Sequence, residues 1–94
     1  MDRPPRFIGI VKESIEYYNK YRAPEATARL IANRRDMVEV EFEGSFCESC
    51  GIIDWIEDLA YIMVEKGLEV ELIAVKDTDN DYIKIGVFKV KKPG

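Results

Sequence analysis

Met37-Val38-Glu39-Val40-Glu41-Phe42-Glu43 alternates without a break. Val38, Val40 and Phe42 fall on one side of an extended chain, and Glu39, Glu41 and Glu43 fall on the other. That is a strand with one face buried and one face wet. Directly before it, Asn33-Arg34-Arg35-Asp36 is turn material, so Ala26 to Ala32 is expected to be the other arm of a hairpin. Ala28 and Leu30 would point inward. Alanine and arginine would also suit a helix in that arm, and the turn decides for a strand.

Outward from this hairpin, Phe7 to Tyr21 reads as a helix, because Ile8, Val11, Ile15 and Tyr18 recur at three- and four-residue steps. Pro4 and Pro5 lie before it, where a missing N–H costs little. Pro24 ends it by disfavouring helix at the residue before it. On the other side, Gly44 breaks the strand and Ser45-Phe46-Cys47-Glu48 fits a capping box. A second helix is therefore expected from about residue 46 to Lys66. Ile52, Ile56, Leu59 and Met63 form its core stripe, and Trp55 and Ile62 widen it. Gly67 stands where a left-handed C-cap is wanted.

Leu68 to Lys76 is expected to be a third strand, with Val70 and Leu72 opposite Glu69 and Glu71. Residues 77–81 make a polar hairpin loop, and Tyr82 to Val90 the last strand. In that strand Ile83, Ile85 and Val87 share one side. Gly86 is expected to mark a bulge that lets Phe88 and Lys89 change faces.

The order is helix, hairpin (26–43), helix, hairpin (68–90), within one domain spanning the 94 residues. Glu13, Ile15, Tyr17 and Glu25 align with Glu57, Leu59, Tyr61 and Glu69 at one constant offset, which suggests a repeated unit of helix plus hairpin. Neither unit covers its own apolar face. Together they give an α+β two-layer sandwich, α-β-β-α-β-β: a four-stranded, mainly antiparallel sheet with both helices on one face. The open face would carry Thr27, Arg29, Glu39, Glu41, Glu43, Glu69, Glu71 and Lys84. It could dock a second copy or another protein, or simply be hydrated.

Composition bounds the function. Charged residues make up 34% of the chain, the net charge is −4 and glutamine is absent. Many ion pairs and few heat-labile amides are the pattern of a thermophile. The acidic balance argues against nucleic acid as a partner. No segment is apolar enough to cross a bilayer, and the N-terminus lacks a signal-peptide core. A cytoplasmic protein is expected.

The chain has no histidine and only two cysteines, in Cys47-Glu48-Ser49-Cys50, which rules out any histidine-dependent triad. Three readings of this pair stand. As a redox dithiol, Cys47 and Cys50 at i, i+3 would close a small disulfide ring, with a helix start lowering the Cys47 thiol pKa and the acids Glu48, Asp54 and Asp58 raising it. As a zinc site, the pair supplies two of four ligands; two chains could share one metal, or carboxylates such as Glu48 or Asp54 could contribute. As a structural pair, the cysteines would simply pack or pin a helix start.

The run from Val38 to Gly51, Val-Glu-Val-Glu-Phe-Glu-Gly-Ser-Phe-Cys-Glu-Ser-Cys-Gly, resembles the active-site strand and helix of thioredoxin. The resemblance implies attack by Cys47 and resolution by Cys50. The same Phe-Cys-x-x-Cys-Gly arrangement is similar to small uncharacterised archaeal α+β proteins, a likeness that implies no activity.

Two lesser features remain. Asp77, Asp79 and Asp81 sit at alternate positions like the first ligands of a calcium loop. However, Tyr82 and Phe88 stand where such a loop needs glycine and glutamate, so a polar turn is expected. Tyr17, Tyr18 and Tyr21 cluster on the first helix, where core packing accounts for Tyr18 and amphipathic edges for the others. The paucity of catalytic groups points to a small non-enzymatic interaction or assembly module acting through the sheet face. A dithiol redox protein or redox sensor is the alternative.

Overall fold

The computed structural model describes residues 7–45 and 51–91. In chain order it contains α1 (Ile8–Arg22), β1 (Thr27–Arg34), β2 (Met37–Glu43), α2 (Ile52–Glu65), β3 (Val70–Asp77) and β4 (Ile83–Val90). The strands form one antiparallel sheet in the order β1-β2-β4-β3. Each hairpin thus places its second strand at the centre and its first at an edge. The expected α+β architecture of two helix-plus-hairpin halves is the one found.

The decisive alternation builds the core. Val38, Val40 and Phe42 are buried, together with Val11, Ile15 and Tyr18 of α1 and Ile56, Leu59 and Met63 of α2. Leu30, Ile52, Trp55, Val70 and Leu72 pack around them, partly buried. Tyr18 meets Phe42 edge-on, with ring centres 5.5 Å apart. Its hydroxyl donates to the Trp55 carbonyl at 2.9 Å, tying α1 to α2.

The helix ends follow their local chemistry. α1 stops at Arg22, with Ala23 as C-cap just before Pro24. At the end of α2, Gly67 takes φ +97°, its N–H donates to the Val64 carbonyl, and the Leu68 N–H donates to the Met63 carbonyl. That is the paired bonding of a Schellman cap. The start of α2 differs from expectation. The helix begins at Ile52 with Gly51 as N-cap and no side-chain cap bond, so Ser45 does not cap it. Glu48, the other half of the expected box, lies outside the described residues.

Two further expectations are corrected. β1 runs to Arg34, so the first turn is Arg35-Asp36, with Arg35 at φ +56°. The bulge expected at Gly86 is absent: β4 pairs with β2 in unbroken register from Ile83 to Lys89. The irregularities lie instead in the edge strands, between Leu30 and Ala32 and between Leu72 and Ala74. Edge bulges of this kind blunt pairing with another chain. The first edge is blunted a second way. Asn19 of α1 accepts from the Ala28 N–H at 2.7 Å and donates to the Ala28 carbonyl at 3.0 Å, standing in for a strand partner.

Candidate functional site

Cys47 and Cys50 lie outside the described residues. The chain leaves the described structure at Ser45 and resumes at Gly51, the N-cap of α2. The carboxylate of Asp54 turns back toward this end of the helix: its Oδ2 lies 3.7 Å from where a Cβ on Gly51 would sit. A negative charge at a helix N-terminus is favourable, and here Asp54 supplies it.

The open face of the sheet is fully described, and its composition differs from the expected set. Strand register places Glu39, Glu41 and Glu43 of β2 opposite Val87, Ile85 and Ile83 of β4. Because Val38, Val40 and Phe42 are inward, the inward side of β4 is Lys84, Gly86 and Phe88. Ile83, Ile85 and Val87 therefore lie on the open face. Val87 is 5% exposed yet does not belong to the core cluster. Lys84 leaves the expected set: it sits opposite Phe42 on the helix side and pairs with Asp77 at 2.9 Å. Glu69 precedes β3 and lies outside the strands.

An apolar stripe thus runs along a central strand, with acids beside it on β2. Arg29 pairs with Glu41 from the edge strand β1. Lys76 of β3 stands opposite Ile85, and its Nζ lies 3.7 Å from Glu39. Reaching Glu39 from β3 carries the lysine side chain across β4, so its aliphatic stem roofs part of the stripe.

On the other side of the molecule α1 and α2 leave a cleft of about 230 Å³, lined by Tyr17, Tyr18, Tyr21, Arg22, Asp58, Tyr61, Ile62 and Glu65. Arg22 pairs with Asp58 and stacks 4.8 Å from the centre of the Trp55 ring. Burial pushes the Tyr18 phenol well above its ordinary value, against the pull of Arg22, so it stays a neutral donor.

The acidic loop does not gather into a metal site. Among the described residues no group of three or more potential ligands could hold a metal ion. Asp77 belongs to β3 and engages Lys84, while Asp79 and Asp81 are exposed in the turn. The loop is closed by its own bonds. The Thr78 hydroxyl lies 2.9 Å from the carbonyl oxygens of Asn80 and Ile83, and the Asn80 side-chain oxygen accepts from the Tyr82 N–H at 2.8 Å.

Sequence reasoning missed the stripe on β4, although Ile83, Ile85 and Val87 were visible as a set; only the register shows which way they face. Among the described residues no helix is long and apolar enough to cross a membrane. Compared with protein-family models, with curated proteins and with solved structures, the chain finds no match.

Proposed function

We propose that this chain is a small non-enzymatic interaction module that docks a protein partner through the open face of its sheet, in the simplest case a second copy of itself. The observation that carries this reading is the placement of Ile83, Ile85 and Val87. A central strand of a one-sided sheet ordinarily turns polar residues to water, whereas β4 turns three aliphatic ones outward. The bulges in both edge strands, with Asn19 also covering the β1 edge, disfavour strand addition and leave the face as the route of association. The setting is that of a cytoplasmic, thermophile (archaeal) protein. Cross-element ion pairs such as Lys66–Glu13 and Lys91–Glu71 are in keeping with it.

Sedimentation across a concentration series tests the reading. The expected result is a dimer or a stable heterocomplex that Ile85→Lys abolishes while the fold is retained. A strict monomer that recruits no partner overturns it.

The dithiol reading is the second, and one observation favours it. Gly51, bonded to Cys50, is the N-cap of the fourteen-residue helix α2, and helix N-termini favour thiolates. Asp54 in the same turn opposes it. Thiolate absorbance against pH, with a redox titration, decides. A Cys47 pKa near the free-thiol value of about 8.5 and no accessible disulfide remove it. Metal analysis of the same anaerobic preparation tests zinc shared between two chains.

A further inference from the structure

We propose that the cleft between α1 and α2 binds an alkylated ammonium group, held by Tyr17, Tyr21 and Tyr61 and by the carboxylate of Glu65. The cleft lies on the helix layer, away from the open sheet face, so the proposal is independent of docking there.

The walls come from matching places on the two helices. Tyr17 and Tyr61 correspond at the offset that relates the two halves of the chain, and so do Tyr21 and Glu65. Tyr17 and Tyr21 are spaced i, i+4 on α1, as are Tyr61 and Glu65 on α2, which stacks each of these two pairs on one helix face. The helices therefore bring three rings and one carboxylate to a common cleft. None of the three rings is needed by the core: Tyr17 is 45% exposed, Tyr21 66% and Tyr61 62%. Exposed aromatic rings gathered on one cleft call for an explanation beyond packing.

The electrostatics select a cation. Arg22 and Asp58 neutralise one another by pairing, while Glu65 joins no ion pair among the described residues. The charge left over in the cleft is negative. Tyr17 and Tyr21 lie 4.7 Å apart between ring centres, and the Tyr17 phenol, raised by its hydrogen bond to Tyr21, stays uncharged. Neutral rings present negative π-faces, and a cation within about 6 Å of a ring centre is attracted. The chain already uses this attraction: Lys66 Nζ lies 5.4 Å from the centre of the Tyr17 ring.

Size and hydration narrow the class. A volume of about 230 Å³ falls below the roughly 300–1,000 Å³ of drug-sized sites, so a single head group fits and a nucleotide does not. A primary ammonium is strongly hydrated. Alkylation weakens that hydration and adds apolar surface for the rings, the usual basis of aromatic recognition of quaternary ammonium.

The test is an NMR titration of the intact chain with tetramethylammonium chloride, with sodium chloride matching the ionic strength and tert-butanol as the neutral isostere. Saturable shifts confined to the ring signals of Tyr17, Tyr21 and Tyr61 are expected, with the neutral isostere at least about tenfold weaker. Tyr61→Leu and Glu65→Gln, both at exposed positions, should each weaken binding about three- to tenfold with the melting temperature unchanged. A parallel titration with a short peptide carrying trimethyl-lysine separates a protein-borne group, which binds more tightly than the free ion, from a small-molecule ligand, which does not. Equal response to tert-butanol, or binding untouched by both variants, overturns the proposal.

Discussion

Gly86 of β4 faces Ile56 of α2 so closely that a Cβ on the glycine would lie 2.8 Å from Ile56 Cγ2. The same atom would lie 3.1 Å from Phe88 and 3.2 Å from Phe42. The residue is buried and its strand is regular, so this glycine serves close packing and not a turn. Helix α2 can settle on the sheet because β4 has no side chain there. Gly86→Ala is expected to destabilise the fold by about 1–3 kcal/mol through overpacking. Ile56→Ala in the same chain should recover part of that loss. Urea unfolding of both single variants and the double variant measures the coupling, and strict additivity would refute the contact.

What the sequence made legible followed from its strongest local patterns. The alternation of residues 37–43 gave β2 its bounds and faces, Pro24 gave the end of α1, and Gly67 gave the end of α2. In β4 both parities are apolar, Ile83, Ile85 and Val87 on one and Phe88 and Val90 on the other. Alternation therefore cannot assign its faces, and the glycine invites a bulge that does not form. The edge bulges are silent for the same reason, since Ile31 and Ile73 sit between apolar neighbours. Ser45 and Glu48 satisfy a capping box by spacing alone, yet α2 starts at Ile52. The tyrosines of the cleft show their i, i+4 spacing in sequence, but their meeting across two helices is tertiary. The cysteine pair stands where sequence left it.

Asn19 holds both backbone groups of Ala28 with its one amide. Asn19→Ala leaves a buried residue of an edge strand with an unpaired donor and acceptor, unless water enters. The expected cost is about 1–3 kcal/mol. Hydrogen exchange localises it: the Ala28 amide should lose protection more than the amides of β4. Equal loss across the sheet would mean that the bond contributes only to global packing.

Lys76 covers the outward stripe on its way to Glu39. Lys76→Ala removes that roof from part of the stripe. If the face docks a partner, association should strengthen several-fold, because less lysine side-chain entropy is lost on binding. Stability should change by less than about 1 kcal/mol, since the lysine end of this ion pair is exposed. Sedimentation of the variant beside the parent chain reads both directions. Weaker association would make Lys76 a contact residue in place of a cover.

Tyr18 links its hydroxyl to the Trp55 carbonyl while burial holds its phenol above the ordinary value of 10.0. The sign of the resulting pH dependence is fixed by linkage. Above about pH 10 the unfolded chain releases this proton and the native chain keeps it, so stability is complete below that pH and falls as pH rises toward the native pKa. Tyr18→Phe removes the hydrogen bond at a cost of about 0.5–1.5 kcal/mol at neutral pH. It also removes this group's share of the alkaline slope, because phenylalanine has no proton to release. Denaturant unfolding at pH 8 and pH 11 should therefore show a smaller gap between parent and variant at the higher pH. A gap that stays constant would place the Tyr18 hydroxyl in contact with water in the folded protein.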